Sequence, residues 1–290
     1  MDCLSLFREA LQAHYGKLDW LPIADGTIRR FHVPGDKPGT RNGAYQLFLG
    51  YIASGWFGTW KDGGNWHIWS SRKPANHVEA QLLSLRIERA RSQREAGQHQ
   101  RQQAAAELAV RLWRDARRAA PDHPYLATKG CRSYALRQSG DVLLVPMISG
   151  GQLVNLQRIR PNGDKRFLDG GMVTGCYSPL GSISAGKPLY ICEGWATGAT
   201  LHAETGAAVA CAMSVGNLLA VGQRLQREHP DAQLIVAGDD DRLKVANPGR
   251  TAATQVAAAL GCGLIFPPWN GAEPLELSDF NDLAQWRAEQ

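Results

Sequence analysis

Glu193 and Gly194 come directly after the apolar run Leu189-Tyr190-Ile191-Cys192, and Asp239, Asp240 and Asp241 come directly after Leu234-Ile235-Val236-Ala237. A carboxylate at the end of an apolar strand is carried to the rim of a core, and Gly194 lets the backbone turn there at once. Period-two alternation sends Asp239 and Asp241 to one side and Asp240 to the other. Carboxylates held this close must raise their pKa values or share a cation. Oxygen ligands at this density select Mg²⁺ or Mn²⁺, and no zinc is expected. A centre of that kind supports phosphoryl transfer. A solvated acidic turn would explain the three aspartates but not Glu193 at the matching end of a second strand. Asp279, Asn281 and Asp282, further on, have the residue types of additional ligands or of helix caps.

The elements that must position these groups alternate in period. Strands are predicted at 189–192, 207–213, 234–237 and 264–266, and helices at 196–203, 217–228, 249–260 and from about 280. This order predicts an α/β domain over 187–290, a Rossmann-like parallel sheet covered on both faces, with its site at the carboxyl ends of the strands.

Residues 121–186 read as a basic mixed α+β subdomain. Its clearest part is a hairpin, 141–147 and 153–160, joined through Ser149-Gly150-Gly151. Arg158, Arg160, Lys165 and Arg166 are expected to share one exposed face, where cations repel unless they meet phosphate. Residues 77–120 are strong helix formers and predict one long or two antiparallel helices, with Gly97 as the break. From 86 to 118 there are nine Arg against four acidic residues, a surplus equal to the net charge of +5 of the whole chain. Such a run either follows a nucleic-acid backbone or is a solvated face. Residues 1–76 predict a short amphipathic helix and a small aromatic-rich antiparallel sheet, an α+β domain. There Tyr45, Trp56, Phe57, Trp60, Trp66 and Trp69 either form the core or stack bases, with Trp60 and Trp66 the chosen template contacts.

The six cysteines are scattered with no CxxC and no zinc-site spacing, and they read as reduced thiols. No stretch has the order of a signal peptide or the length of a membrane span, so a cytoplasmic protein with no membrane partner is expected. The charge permits a nucleic-acid partner without demanding one.

Glu193-Gly194, Asp239-x-Asp241 and Asp279-Phe280-Asn281-Asp282 together resemble a Toprim domain, the metal-binding fold of bacterial primases, topoisomerases and some nucleases. Leu144-Val145-Pro146-Met147, Gly150-Gly151, Gln157-Arg158, Lys165-Arg166-Phe167-Leu168 and Cys176-Tyr177 are similar to the basic subdomain that precedes it in bacterial-type primases. With His123-Pro124-Tyr125-Leu126, the whole resembles primase-related Toprim proteins of phages, conjugative plasmids and mobile elements. The resemblance implies a nucleotidyltransferase that makes short RNA primers on single-stranded DNA from nucleoside triphosphates. Glu193 would act near the reacting phosphate, Asp239 and Asp241 would hold metals, and Arg158, Lys165 and Arg166 would hold template or nucleotide phosphates. Arg160, Lys129 and Arg132 are placed in the same binding set. No P-loop occurs, so a replicative helicase would be a separate partner. A Toprim-type nuclease and a non-catalytic replication accessory protein are the alternatives.

Overall fold

The computed structural model describes residues 2–59 and 66–290. Compactness divides the chain between Arg94 and Glu95, and each unit has its own core.

In the first unit α1 (Cys3–Tyr15) is capped by Asp2, whose carboxylate accepts the Ser5 N–H at 2.8 Å. Its apolar stripe, Phe7 and Leu11, is fully buried against a four-stranded antiparallel sheet. The strands run in order: β1 (Arg29–Phe31), β2 (Gly43–Phe48), β3 (Ser54–Thr59) and β4 (Trp66–Ser70). Phe7 meets Tyr45, Phe57 and Trp69 at ring centroid distances of 5.8, 5.7 and 5.0 Å. Tyr45 and Phe57 are therefore core, and Trp69 packs half-buried against it. Trp56 and Trp66, in register with the opposite face, pack edge to face at 4.9 Å, and Trp66 stays 40% exposed. Trp60 lies outside the described residues.

The helix α2 (His77–Asp115) is continuous. Gly97 does not break it: its backbone stays out of the positive-φ region, and the roughly 1 kcal/mol a glycine costs is outweighed by the strong helix formers on both sides. Within the second unit Ala109, with Leu108 and Leu112, closes over Leu144, Leu156 and Leu168.

That unit holds two sheets. The first is antiparallel in the order β5 (Arg117–Arg118), β6 (Arg137–Ser139), β7 (Val142–Ser149), β8 (Gln152–Ile159), β9 (Lys165–Phe167), with α3 (Pro124–Lys129) between β5 and β6. The β7–β8 hairpin turns through Gly150 and Gly151, both at positive φ (55° and 73°), as a tight hairpin demands.

The second sheet carries β10 (Ser178–Leu180), β11 (Pro188–Cys192), β12 (Ala208–Cys211), β13 (Gln233–Ala237) and β14 (Gly263–Ile265), in the order β10-β12-β11-β13-β14. Its helices are α4 (Trp195–Thr205), α5 (Leu218–Glu228), α6 (Pro248–Leu260) and α7 (Phe280–Ala288). Strands β11 to β14 are parallel, as expected; β10 is an additional antiparallel edge strand. Just before it, Tyr177 bridges to Ile148 of the first sheet and ties the two sheets together. From β11 the chain passes to β12 on one side, then returns to β13 on the other. The gap beyond the carboxyl ends of β11 and β13 is thus the topological switch point, where open α/β sheets place their sites.

Gly198 of α4 sits where a Cβ would collide with Cys211 Sγ and lie 3.1 Å from Cys192 Sγ. Gly198→Ala is expected to destabilise the second unit by roughly 1–3 kcal/mol through overpacking. A lowered urea midpoint at unchanged slope is the outcome to look for; an unchanged midpoint would show that α4 has room to move.

Candidate active site

The register places Cys192 beside Ala237, so Glu193 and the Asp239 turn leave adjacent parallel strands together. The Met213 N–H donates to the Glu193 carbonyl at 2.7 Å, and the Asp240 N–H donates to the Ser278 carbonyl at 2.7 Å. The second bond draws the start of α7, with Asp279, up to the aspartate turn. Glu193, Asp239, Asp241, Asp279 and Asp282 thus form one acidic group whose charges act on each other.

Their environments differ. Asp239 Oδ1 is buried and has no hydrogen-bond partner among the described residues. Burial, then the negative charges of Asp279, Glu193 and Asp241, push the Asp239 pKa up to about 8. Burial also raises Glu193, against a bond from the Val215 N–H that lowers it. Asp279 is raised by burial and by Asp282. Asp241 goes the other way, because Lys244 Nζ sits 2.8 Å from its Oδ1 and the Gly249 N–H donates to its Oδ2 at 3.0 Å. Of the two readings of the α7 carboxylates, the helix cap is visible directly. Asp279 caps that helix, accepting the Asp282 N–H at 2.8 Å, while its other oxygen takes the Thr197 hydroxyl at 3.1 Å. Asp282 accepts the Ser278 N–H at 3.1 Å and lies 3.5 Å from Lys129 Nζ.

An orphaned, buried carboxylate oxygen among like charges fits a hard divalent cation. Among the described residues no group of three or more acidic, His or Cys side chains is placed to hold a metal ion. Mg²⁺ does not require one, since it keeps several waters and uses one or two carboxylates together with substrate phosphates.

The cations do not share one face. In the β8–β9 register Arg158 stands opposite Arg166, and Ile159 opposite Lys165. Leu156 and Leu168, on the parity of Arg158 and Arg166, pack under α2, while Ile159 and Phe167, on the parity of Lys165, pack toward the second sheet. Alternation therefore splits the set that sequence clustering had joined. Lys165 lies 5.4 Å from the Tyr125 ring centroid and senses Asp279, Glu193 and Asp239. Crowding by protein atoms lowers its pKa, Lys129 adds to that, and the carboxylates oppose it. Arg160 follows β8 and is exposed. Arg132 borders a separate cleft of about 240 Å³ with Tyr134, Glu204 and Gln285.

Four residues around the aspartate turn escaped the sequence reading: Lys244, Asn247, Arg250 and Trp269. Asn247-Pro248-Gly249 carries a helix-start signal, a capping Asn before a first-turn Pro. Arg250 and Trp269 carry none, because their partner Asp240 is brought to them only by the fold.

The family model described as Toprim domain matches residues 188–289. The C-terminal region of this chain is a Toprim domain. Over its length the chain is similar to two proteins of Escherichia coli, each named DNA primase TraC. One is 33% identical over 281 residues, covering 88% of this chain and 25% of the relative; the other is 33% identical over 265 residues, covering 87% and 18%. The chain thus spans a quarter or less of the relatives' length. Two solved structures are also similar. The primase fragment of the bacteriophage T7 primase-helicase protein has a TM-score of 0.43 at 14% identity, covering 57% of this chain and 69% of that one. The Aquifex aeolicus primase (zinc binding and RNA polymerase domains) has a TM-score of 0.41 at 12% identity, covering 97% and 81%. Among the described residues no helix is long and apolar enough to cross a membrane.

Asp239 ionises near pH 8 in the folded Toprim domain and near its ordinary 3.8 when unfolded. Between those values the folded state holds a proton that the unfolded state has released, so metal-free stability falls as pH rises through that interval. Asp239→Asn should therefore raise the metal-free melting temperature at pH 8.5 by a few degrees, an effect worth at least ~1 kcal/mol, and raise it less at pH 5. Equal shifts at both pH values would contradict the assignment. A Cβ at Gly249 would lie 2.9 Å from the Asp239 carbonyl oxygen and 3.1 Å from Asp241 Oδ2. Gly249→Ala should accordingly push the turn aside and weaken Mn²⁺ binding by about 10-fold, as read by titration calorimetry.

Proposed function

We propose that this chain is a primase core that joins ribonucleotides on a single-stranded DNA template. The observation that carries the reading is the unpartnered Asp239 carboxylate at the switch point, crowded by Glu193, Asp241 and Asp279 and overlooked by Lys165. The similarity to relatives named DNA primase supports the same reading.

Asp239 and Asp241, with Asp279 beside them, would hold Mg²⁺ or Mn²⁺, which when bound supplies charge neutralisation for a triphosphate and its departing pyrophosphate. The chain's own residues do the rest. Lys165 and Lys129 bring positive charge to the same crevice and hold phosphate oxygens. Glu193, its carboxyl raised by burial, is the proton acceptor for the attacking ribose hydroxyl, since a base works best with a pKa near the working pH. Lys244, 2.8 Å from Asp241 Oδ1, neutralises this carboxylate and would have to leave it for a cation to be held there. Arg158 and Arg166, on the far face of β8–β9, are assigned to the template strand, with Arg160 and Arg132 as outer contacts and Trp66 as a base-stacking platform. A replicative helicase is the proposed partner for strand opening.

The test is template-dependent synthesis with single-stranded DNA, labelled ribonucleotides and Mg²⁺ or Mn²⁺. Short labelled oligomers should form, and Glu193→Gln and Asp239→Asn should each lower the rate by on the order of 100-fold or more. Lys165→Ala should lower it mainly through a higher KM for the nucleotide. Metal-dependent shortening of the DNA without synthesis would make the Toprim domain a nuclease, and binding without either reaction would make the chain an accessory protein.

A further inference from the structure

Asp240, between the two candidate ligands, is 3% exposed and points away from them. Its carboxylate accepts four hydrogen bonds. Arg250 gives two, Nε to Oδ1 and Nη2 to Oδ2, both at 2.9 Å; Asn247 Nδ2 reaches Oδ1 at 2.6 Å and Trp269 Nε1 reaches Oδ2 at 3.0 Å. The donors come from two segments of the chain. Asn247 caps α6 at its N-terminus, Arg250 lies in the first turn of α6 and stacks 4.0 Å over Phe266, and Trp269 lies in the segment after β14. Trp269 is itself covered by the Arg242 guanidinium at 3.8 Å, and Arg242 bonds the carbonyls of Leu277 and Pro274 just before α7.

The backbone of the turn is held by the same groups. Asn247 Oδ1 accepts the Asp241 N–H at 2.9 Å while its amide holds Asp240. Asn247 keeps this double grip from a left-handed conformation, φ 36°, which Asn tolerates better than most residues other than Gly. Asp239, by contrast, has one oxygen with no protein donor at all. Its aim is therefore inherited from the backbone, and that backbone is anchored one residue later.

We infer that Asp240, Asn247, Arg250 and Trp269 are positioning residues that set the metal affinity of the Toprim site by fixing the pitch of the aspartate turn. The inference rests on Asp239 and Asp241 being the metal ligands. Partners that orient metal ligands change affinity by roughly 10–100-fold when lost. A planar guanidinium gripping both oxygens restrains rotation of the Asp240 carboxylate, which a lysine ammonium at the same site does not.

The experiment is Mn²⁺ titration of the full chain, with free ion counted by electron paramagnetic resonance well below the melting temperature, alongside melting curves without metal. Variants are Arg250→Lys, which keeps the charge and loses the fork; Trp269→Phe, which removes one donor; and Asp239→Asn. Wild type should bind, and Asp239→Asn should bind at least 100-fold more weakly. Arg250→Lys and Trp269→Phe should each raise Kd by about 10-fold or more while remaining folded at the titration temperature. Arg250→Lys or Trp269→Phe with a lower melting temperature but wild-type Kd would overturn the inference and leave a plain structural brace, with the metal site intact. A wild type that takes up no Mn²⁺, or an Asp239→Asn variant that binds as well as wild type, would overturn the metal-site reading and this inference with it.

Discussion

Carboxylates gathered at the carboxyl ends of β11 and β13 repel one another, and the Toprim domain is arranged around holding them there. A lone buried acid would turn to solvent or to a donor; Asp239 has done neither, and its pKa near 8 records the cost of keeping it in place without a cation. The neighbouring acids are relieved in separate ways. Asp240 is neutralised by Arg250 and held down to about 2, Asp241 leans on Lys244, and Asp279 is spent partly on the start of α7. The strain is concentrated on one oxygen, which is where a hard cation would gain most.

The surrounding elements follow from that constraint. A parallel sheet presents strand ends and helix starts on the same edge, so Glu193, the aspartate turn and the N-termini of α4 and α6 meet there, and the long segment 266–279 brings the start of α7 to them. The start of α6 supplies a backbone N–H to Asp241, and its dipole favours the negative charge there. The antiparallel sheet β5–β9 lends one face to this crevice through Lys165 and the other to α2, so the same two strands serve the acidic site and a basic outer surface.

Much of this could be read from residue types. Carboxylates after apolar strands, with Gly194 after one of them, located the crevice, and the alternation of periods gave the parallel order of β11 to β14. The opposite orientation of Asp240 followed from strand parity alone. What the sequence withheld were facts of pairing across distance. Clustered Arg158, Lys165 and Arg166 looked like one patch, and only the β8–β9 register shows that they divide between two faces. Gly97 looked like a break because propensity is local, whereas the helix through it is sustained by its neighbours. Arg250 and Trp269 were invisible because their significance lies entirely in Asp240, 10 and 29 residues away. The aromatic N-terminal region left its rings undecided between core and surface until the sheet assigned Tyr45 and Phe57 to the interior and Trp69 to its margin.

The role proposed for Asp239 is to stay unpartnered for a divalent cation. Anomalous diffraction from a crystal of the full chain grown with Mn²⁺ tests it most directly. A manganese peak about 2.0–2.3 Å from Asp239 Oδ1 is expected, with Lys244 displaced from Asp241. A crystal that binds manganese elsewhere, with Asp239 still buried and bare and Lys244 still on Asp241, would contradict it.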